Sequence, residues 1–71
     1  MEITVKSTRI ISFSETKERE LEINGEMHTL RTFDSNYEDP IYWFDGIEYN
    51  FSELEEEVME GITLEEILNS I

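Results

Sequence analysis

Cysteine is missing from the 71 residues, and histidine occurs once, as His28. Disulfide staples are therefore excluded, and so are zinc clusters built from Cys and His. Three glycines and a single proline are scattered through the chain, too few for a glycine-rich loop that cradles phosphates. No serine stands in the glycine-flanked elbow that exposes a nucleophile for acyl transfer. No apolar run approaches the length that spans a bilayer. The opening Met1-Glu2-Ile3-Thr4-Val5 has neither the basic region nor the apolar core of a signal peptide, so the expected location is the cytoplasm.

Basic residues are also scarce. Five stand against eighteen acids, a formal net charge of −13. All five bases (Lys6, Arg9, Lys17, Arg19, Arg31) fall in residues 1–31, where six acids nearly cancel them. Residues 32–71 hold twelve acids and no base. Such a field repels nucleic acid and anionic membrane, and it attracts basic surfaces and speeds association with them. Direct binding to nucleic acid or to a membrane is therefore not expected. With so short a chain, one core is all the length allows. That core contributes on the order of 3–5 kcal/mol, so self-association or a partner would help it.

What is present reads as strands followed by helices. Ile3, Val5, Ile11 and Phe13 hold an odd-numbered apolar alternation that Ser7 and Arg9 interrupt, with Ile10 out of phase. A second strand spans Arg19 to Ile23, and Asn24-Gly25 then closes a hairpin, because both central residues of a type I′ turn need positive φ. That turn pairs Ile23 with Glu26, Leu21 with His28 and Arg19 with Leu30. The charges Glu26 and Arg19 on this face imply that it is covered only in the middle. Residues 34–40 form an acidic loop containing the only proline. Asp45-Gly46 closes a second hairpin over 41–51, setting Phe44 against Ile47 and Tyr42 against Tyr49 in an aromatic ladder. Trp43 and Ile41 then face the other way. Trp43 belongs either to a second core layer or to an interface, where tryptophan and tyrosine are favoured anchors.

Residues 52–71 read as two short helices. Ser52 with Glu55, and Thr63 with Glu66, match the capping box, and Ile62 with Ile67 matches the hydrophobic staple of the second helix. Gly61 is placed to cap the end of the first. Leu54 and Val58 make a small apolar face, while Leu64, Ile67, Leu68 and Ile71 make a full stripe. The fold class expected is α+β: one domain, a small antiparallel sheet of four to five strands built on two β-hairpins, with two short C-terminal helices packed on one face.

Two constellations could carry function. Glu53, Glu56, Glu57 and Glu60 follow i, i+3, i+4, i+7 spacing and, with Glu55 added, place five charges within eight residues. Glu65, Glu66 and the loop acids Asp34, Glu38 and Asp39 extend the array. Its alternative is a solvated helix face, which must absorb like-charge neighbours at roughly 0.2–0.5 kcal/mol each. The loop beginning Asp34-Ser35-Asn36 starts like a calcium loop, but Asp39 stands where that loop needs glycine and Pro40 follows. It reads as a polar loop, and no metal or cofactor is expected. His28, alone in mid-strand, reads as a packed or surface residue, and no catalytic residue is assigned.

In size, acidity and lack of catalytic residues the chain resembles small phage-encoded inhibitors of the DNA-mimicking anti-CRISPR and anti-restriction kind. That resemblance implies a non-catalytic binder that covers a basic, nucleic-acid-binding surface of a partner protein. The rival is a cytoplasmic regulatory or assembly subunit that forms a homodimer or complex through the apolar helix stripe and Trp43, its acidity incidental.

Overall fold

The computed structural model describes residues 3–12, 16–34 and 39–69. Five antiparallel strands run in simple chain order: β1 (Ile3–Ser12), β2 (Thr16–Ile23), β3 (Glu26–Phe33), β4 (Ile41–Phe44) and β5 (Ile47–Tyr49). Two helices follow, α1 (Phe51–Glu57) and α2 (Gly61–Asn69). No helix among the described residues is long and apolar enough to cross a membrane.

Both dipeptide turns close hairpins. Asn24 and Gly25 have φ of 52° and 87°, Asp45 and Gly46 of 51° and 84°, the double positive-φ pair of a type I′ turn. The register follows from them: Ile23 opposite Glu26, Leu21 opposite His28, Arg19 opposite Leu30, Phe44 opposite Ile47 and Tyr42 opposite Tyr49.

The broken alternation of the first strand has a geometric cause. β1 is one strand, shifted in register between Val5 and Ser7 and again between Ile10 and Ser12. An inserted residue at a bulge exchanges the faces of all that follows. Ile3 and Val5 pair with Ile23 and Leu21 on the inner side, and beyond Lys6 it is Thr8 that pairs with Arg19. Ser7 and Arg9 thus occupy the outer face.

The inner face and the helices share one core of Leu21, Ile23, Leu30, Tyr42, Leu54, Met59, Leu64 and Ile67, with Phe44, Tyr49, Phe51, Val58 and Leu68 packed around it. Tyr42 and Phe51 meet edge to face, centroids 6.1 Å apart. Coverage extends further than the charges in the pattern suggest, because Arg19 is only 2 % exposed. Its long stem crosses beneath α2 and its guanidinium reaches the Leu68 carbonyl.

Helix starts differ from the capping motifs read at Ser52 and Thr63. α1 is capped by Asn50, whose side chain accepts from the Glu53 amide at 2.8 Å while the Glu53 carboxylate accepts from the Asn50 amide at 3.1 Å. Starting there brings Phe51 into the helix, where it packs on the core. α2 starts two residues before Thr63, with the Leu64 amide donating to the Glu60 carbonyl at 2.9 Å. Ile62 is 72 % exposed and staples nothing. Gly61 opens α2 and does not cap α1, whose C-cap is Val58 in right-handed conformation. A Cβ on Gly61 would collide with the Glu55 carboxylate, which lies at the positive end of α2. Ile71 lies outside the described residues.

Gly25→Val and Gly46→Val should each lose at least about 1–2 kcal/mol, because a β-branched residue resists positive φ. Neither site has any atom within 4 Å of the added Cβ, so the loss is conformational. Urea midpoints equal to wild type would contradict the turn geometry. At the first helix start, Asn50→Ala should lose about 1 kcal/mol and Ser52→Ala almost nothing. The reverse order of thermal stability would restore Ser52 as the cap.

Candidate functional site

Folding separates the two signs of charge. All five bases lie on β1, β2 and β3, and most are spent within the sheet. On the outer face, Glu18 receives Arg9 at 2.7 Å on one carboxylate oxygen and Arg31 at 3.1 Å on the other. Lys6 approaches Glu22 at 3.7 Å. Arg19 is buried beneath α2. The segment that carries both helices contains Glu53, Glu55, Glu56, Glu57, Glu60, Glu65 and Glu66, all exposed. Among the described residues no base pairs with any of these seven.

These glutamates are not equivalent. Glu53 is held in the α1 capping box and Glu55 lies against Gly61, so both serve the helix starts. Glu56 and Glu57 sit in the last turn of a seven-residue helix that has no basic residue there. The negative end of the helix disfavours them at that place. Glu60 is not on the helix at all. α1 ends at Glu57 and Glu60 belongs to the link before α2, so the i, i+7 continuation of the face is broken, while its charge remains beside the others. Glu65 and Glu66 extend the acidic surface along α2.

The loop acids flank this layer. Asp34 follows β3 and shares a concavity with Leu68 of α2; Asp39 shares another with Asn50, Phe51 and Ser52 at the start of α1. Asp34 also adds to the effect of burial in raising the Tyr42 hydroxyl above its ordinary value, burial being the larger cause. Glu38 lies outside the described residues, as do 35–37 of the loop that begins like a calcium site. Trp43 is half-buried on the outer face, in a cross-strand row with Arg31 and Glu48. It does not join the core, which is formed with the helices on the opposite side. The structure therefore brings the glutamates and the flanking aspartates to the helix side of the molecule and sets Trp43 apart from them.

Two polar arrangements had no signal in the linear sequence. One is the Arg9–Glu18–Arg31 bridge, which joins three strands. The other is His28, whose Nδ1 lies 2.6 Å from Asp45 Oδ2 and whose ring stacks on Phe44 with centroids 5.1 Å apart. With Asp45 ionised, Nδ1 is the donor. The other Asp45 oxygen accepts from the Thr29 amide at 3.0 Å, and the Asp45 amide donates back to the Thr29 carbonyl at 2.9 Å. The second hairpin turn is thus fastened to β3 by a side chain chosen for its turn conformation. A cavity bounded by His28, Asp45, Ile47 and Glu57 adjoins this pair. His28 and Asp45 supply a base and its orienting carboxylate, and the lining holds no serine, threonine or cysteine, its one hydroxyl being the Tyr49 phenol.

Both carboxyls are held below their ordinary values. For Glu18 the hydrogen bonds from Arg9 and then Arg31 are the main causes. For Asp45, burial is the largest influence and pushes upward, but the hydrogen bonds from His28 and the Thr29 amide, with the charge of His28, together outweigh it. A carboxyl depressed in the folded state binds its proton more weakly there than when unfolded. Its stabilisation is complete above the unfolded values of 4.5 and 3.8 and is lost as pH falls through the lowered ones. Melting temperature should accordingly fall between about pH 5 and pH 3. Glu18→Gln and Asp45→Asn should each start lower at pH 6 and show a shallower acid decline. Identical slopes for wild type and both variants would remove these pairs from the acid response.

Set against known proteins, the chain matches no protein-family model, no curated protein and no solved structure.

Proposed function

We propose that this protein is a non-catalytic inhibitor that lays its acidic helix layer on the basic, nucleic-acid-binding surface of a partner protein in the cytoplasm. The observation that carries this reading is the set of seven exposed helix-segment glutamates that no described base neutralises. A surface needed only for solubility intersperses both signs. Here Lys6, Arg9 and Arg31 are committed to Glu22 and Glu18 on the other face.

Charge density supports the comparison with nucleic acid. The four glutamates of Glu53–Glu57 fall along about 6 Å of helix, or one per ~2 Å. Duplex DNA presents about one charge per 1.7 Å of axis. Glu56, Glu57, Glu60, Glu65 and Glu66 are the recognition residues, with Asp34 and Asp39 at the margins. Glu53 and Glu55 contribute charge while holding the helix ends.

A second reading places a homodimer or complex on the outer face, favoured by Phe33, Ile41 and Trp43, which lie there apart from the core. The apolar helix stripe cannot share in it, since Leu64 and Ile67 are buried against the protein's own sheet. Ionic strength separates the readings: a charge-driven contact weakens as the Debye length shrinks toward ~3 Å near 1 M salt, and an apolar one does not.

The deciding variant changes Glu56, Glu57, Glu60 and Glu65 together to glutamine, leaving the Asn50–Glu53 cap intact. Helix propensity hardly changes and repulsion falls, so melting temperature should hold or rise. Immobilised wild-type protein should capture nucleic-acid-binding proteins from a bacterial lysate, release them in salt or to competing duplex DNA, and lose them in the glutamine variant. Equal capture by the variant, or elution indifferent to both salt and DNA, would transfer the interface to the Trp43 face.

A further inference from the structure

Under the C-terminal end of α2, helix and sheet partly enclose a cavity of about 180 Å3. Arg19 lines it and is only 2 % exposed. Nη2 of Arg19 donates to the Leu68 carbonyl at 3.1 Å, and Nη1 makes a long 3.4 Å contact with the Thr32 hydroxyl. Its Nε–H is buried without an acceptor among the described residues. No described carboxylate forms an ion pair with it, in contrast to Arg9 and Arg31, which share Glu18. Burial pulls the Arg19 guanidinium below its ordinary value, but a guanidinium remains charged.

A buried cation with no ion-pair partner among the described residues is a costly way to fill space. An apolar side chain of similar length would pack there with no desolvation cost. The geometry is that of half a binding site. Lys17 adds a second positive group to the same lining, while Pro40 and Tyr42 form apolar walls. A carboxylate is the natural complement, because its planar pair of oxygens matches the donor fork of an arginine. The space suits an attached ring, since an apolar cavity of about 150 Å3 admits benzene. Against a net charge of −13, and with Asp34 also on the lining, a multiply charged phosphate is repelled more strongly than a single carboxylate.

We propose that this cavity is a binding site for a monoanionic carboxylate with a small apolar body, drawn to the Arg19 guanidinium with Lys17 alongside. The cavity adjoins the acidic surface at Asp34, but the proposal does not rest on the inhibitory reading.

Sodium benzoate is a suitable probe, titrated into the full chain at constant ionic strength while the Arg19 Nε–H resonance is followed by nitrogen-correlated NMR. The resonance should shift and saturate as one site, with a dissociation constant on the order of 1 mM. Benzyl alcohol, which keeps the ring and lacks the charge, should leave it in place, and so should inorganic phosphate. Arg19→Met should weaken benzoate binding at least tenfold while keeping the fold. If that variant does not fold, Lys17→Met supplies the comparison, with weaker binding expected from the loss of the second cation. A resonance that does not respond to benzoate overturns the proposal. So does an equal response to benzyl alcohol or phosphate, or undiminished binding in whichever variant folds. Benzoate binding that survives in the glutamine variant, alongside lost partner capture, would leave the site and the inhibitory surface as independent properties.

Discussion

The rest of the molecule depends on the burial of one sheet face beneath two short helices. Leu21 and Leu30 from the sheet and Leu54 and Leu64 from the helices have no exposed surface. Each fully buried aliphatic side chain contributes roughly 1.5–3 kcal/mol. In a chain with no disulfide, no other contact in the fold can replace these four. The helices are too short to persist in water alone, and a two-stranded hairpin is marginal. Each layer therefore exists because the other covers it. Met59, buried to 2 % between the helices, completes the lid and keeps the link from α1 to α2 short.

One-sided burial also determines where charge can go. A meander in chain order leaves its outer face open, and there opposite charges meet across strands, as Glu18 does with Arg9 and Arg31. The helices bring no base of their own, so their outer surface is of one sign. Glu56 and Glu57 add repulsion and an unfavourable helix end. A small domain has few kcal/mol to spare for this, which is why the acidic layer is read as a surface with a partner. Arg19 is the base buried under the helices, and there it lacks an ion-paired carboxylate among the described residues.

The features legible in the sequence were those written within a few residues. Asn24-Gly25 and Asp45-Gly46 dictate their turns by φ alone, and a two-residue turn dictates register, so the pairing of Leu21 with His28 and of Tyr42 with Tyr49 needed no tertiary information. The apolar spacing of Leu54, Leu64 and Ile67 likewise marked the residues that are buried. The fold class and the concentration of acid in the last forty residues followed from composition and order.

Only the tertiary structure decided between competing local signals and joined distant ones. Asn50-x-x-Glu53 and Ser52-x-x-Glu55 are equally good capping patterns, and the choice went to the one that sets Phe51 on the core beside Tyr42. The break in the first strand became a bulge once β2 supplied a partner. The end of α1 at Glu57 took Glu60 off the helix. His28 found Asp45 seventeen residues away, and Arg19, which a strand pattern leaves at a half-covered margin, was enclosed by a helix forty-nine residues on. Turn conformation and side-chain periodicity are local properties of the backbone and are determined by sequence. Which cap prevails, which charge is buried and which carboxylates lack a partner depend on what the fold brings near, and were determined by the packing of helices on sheet.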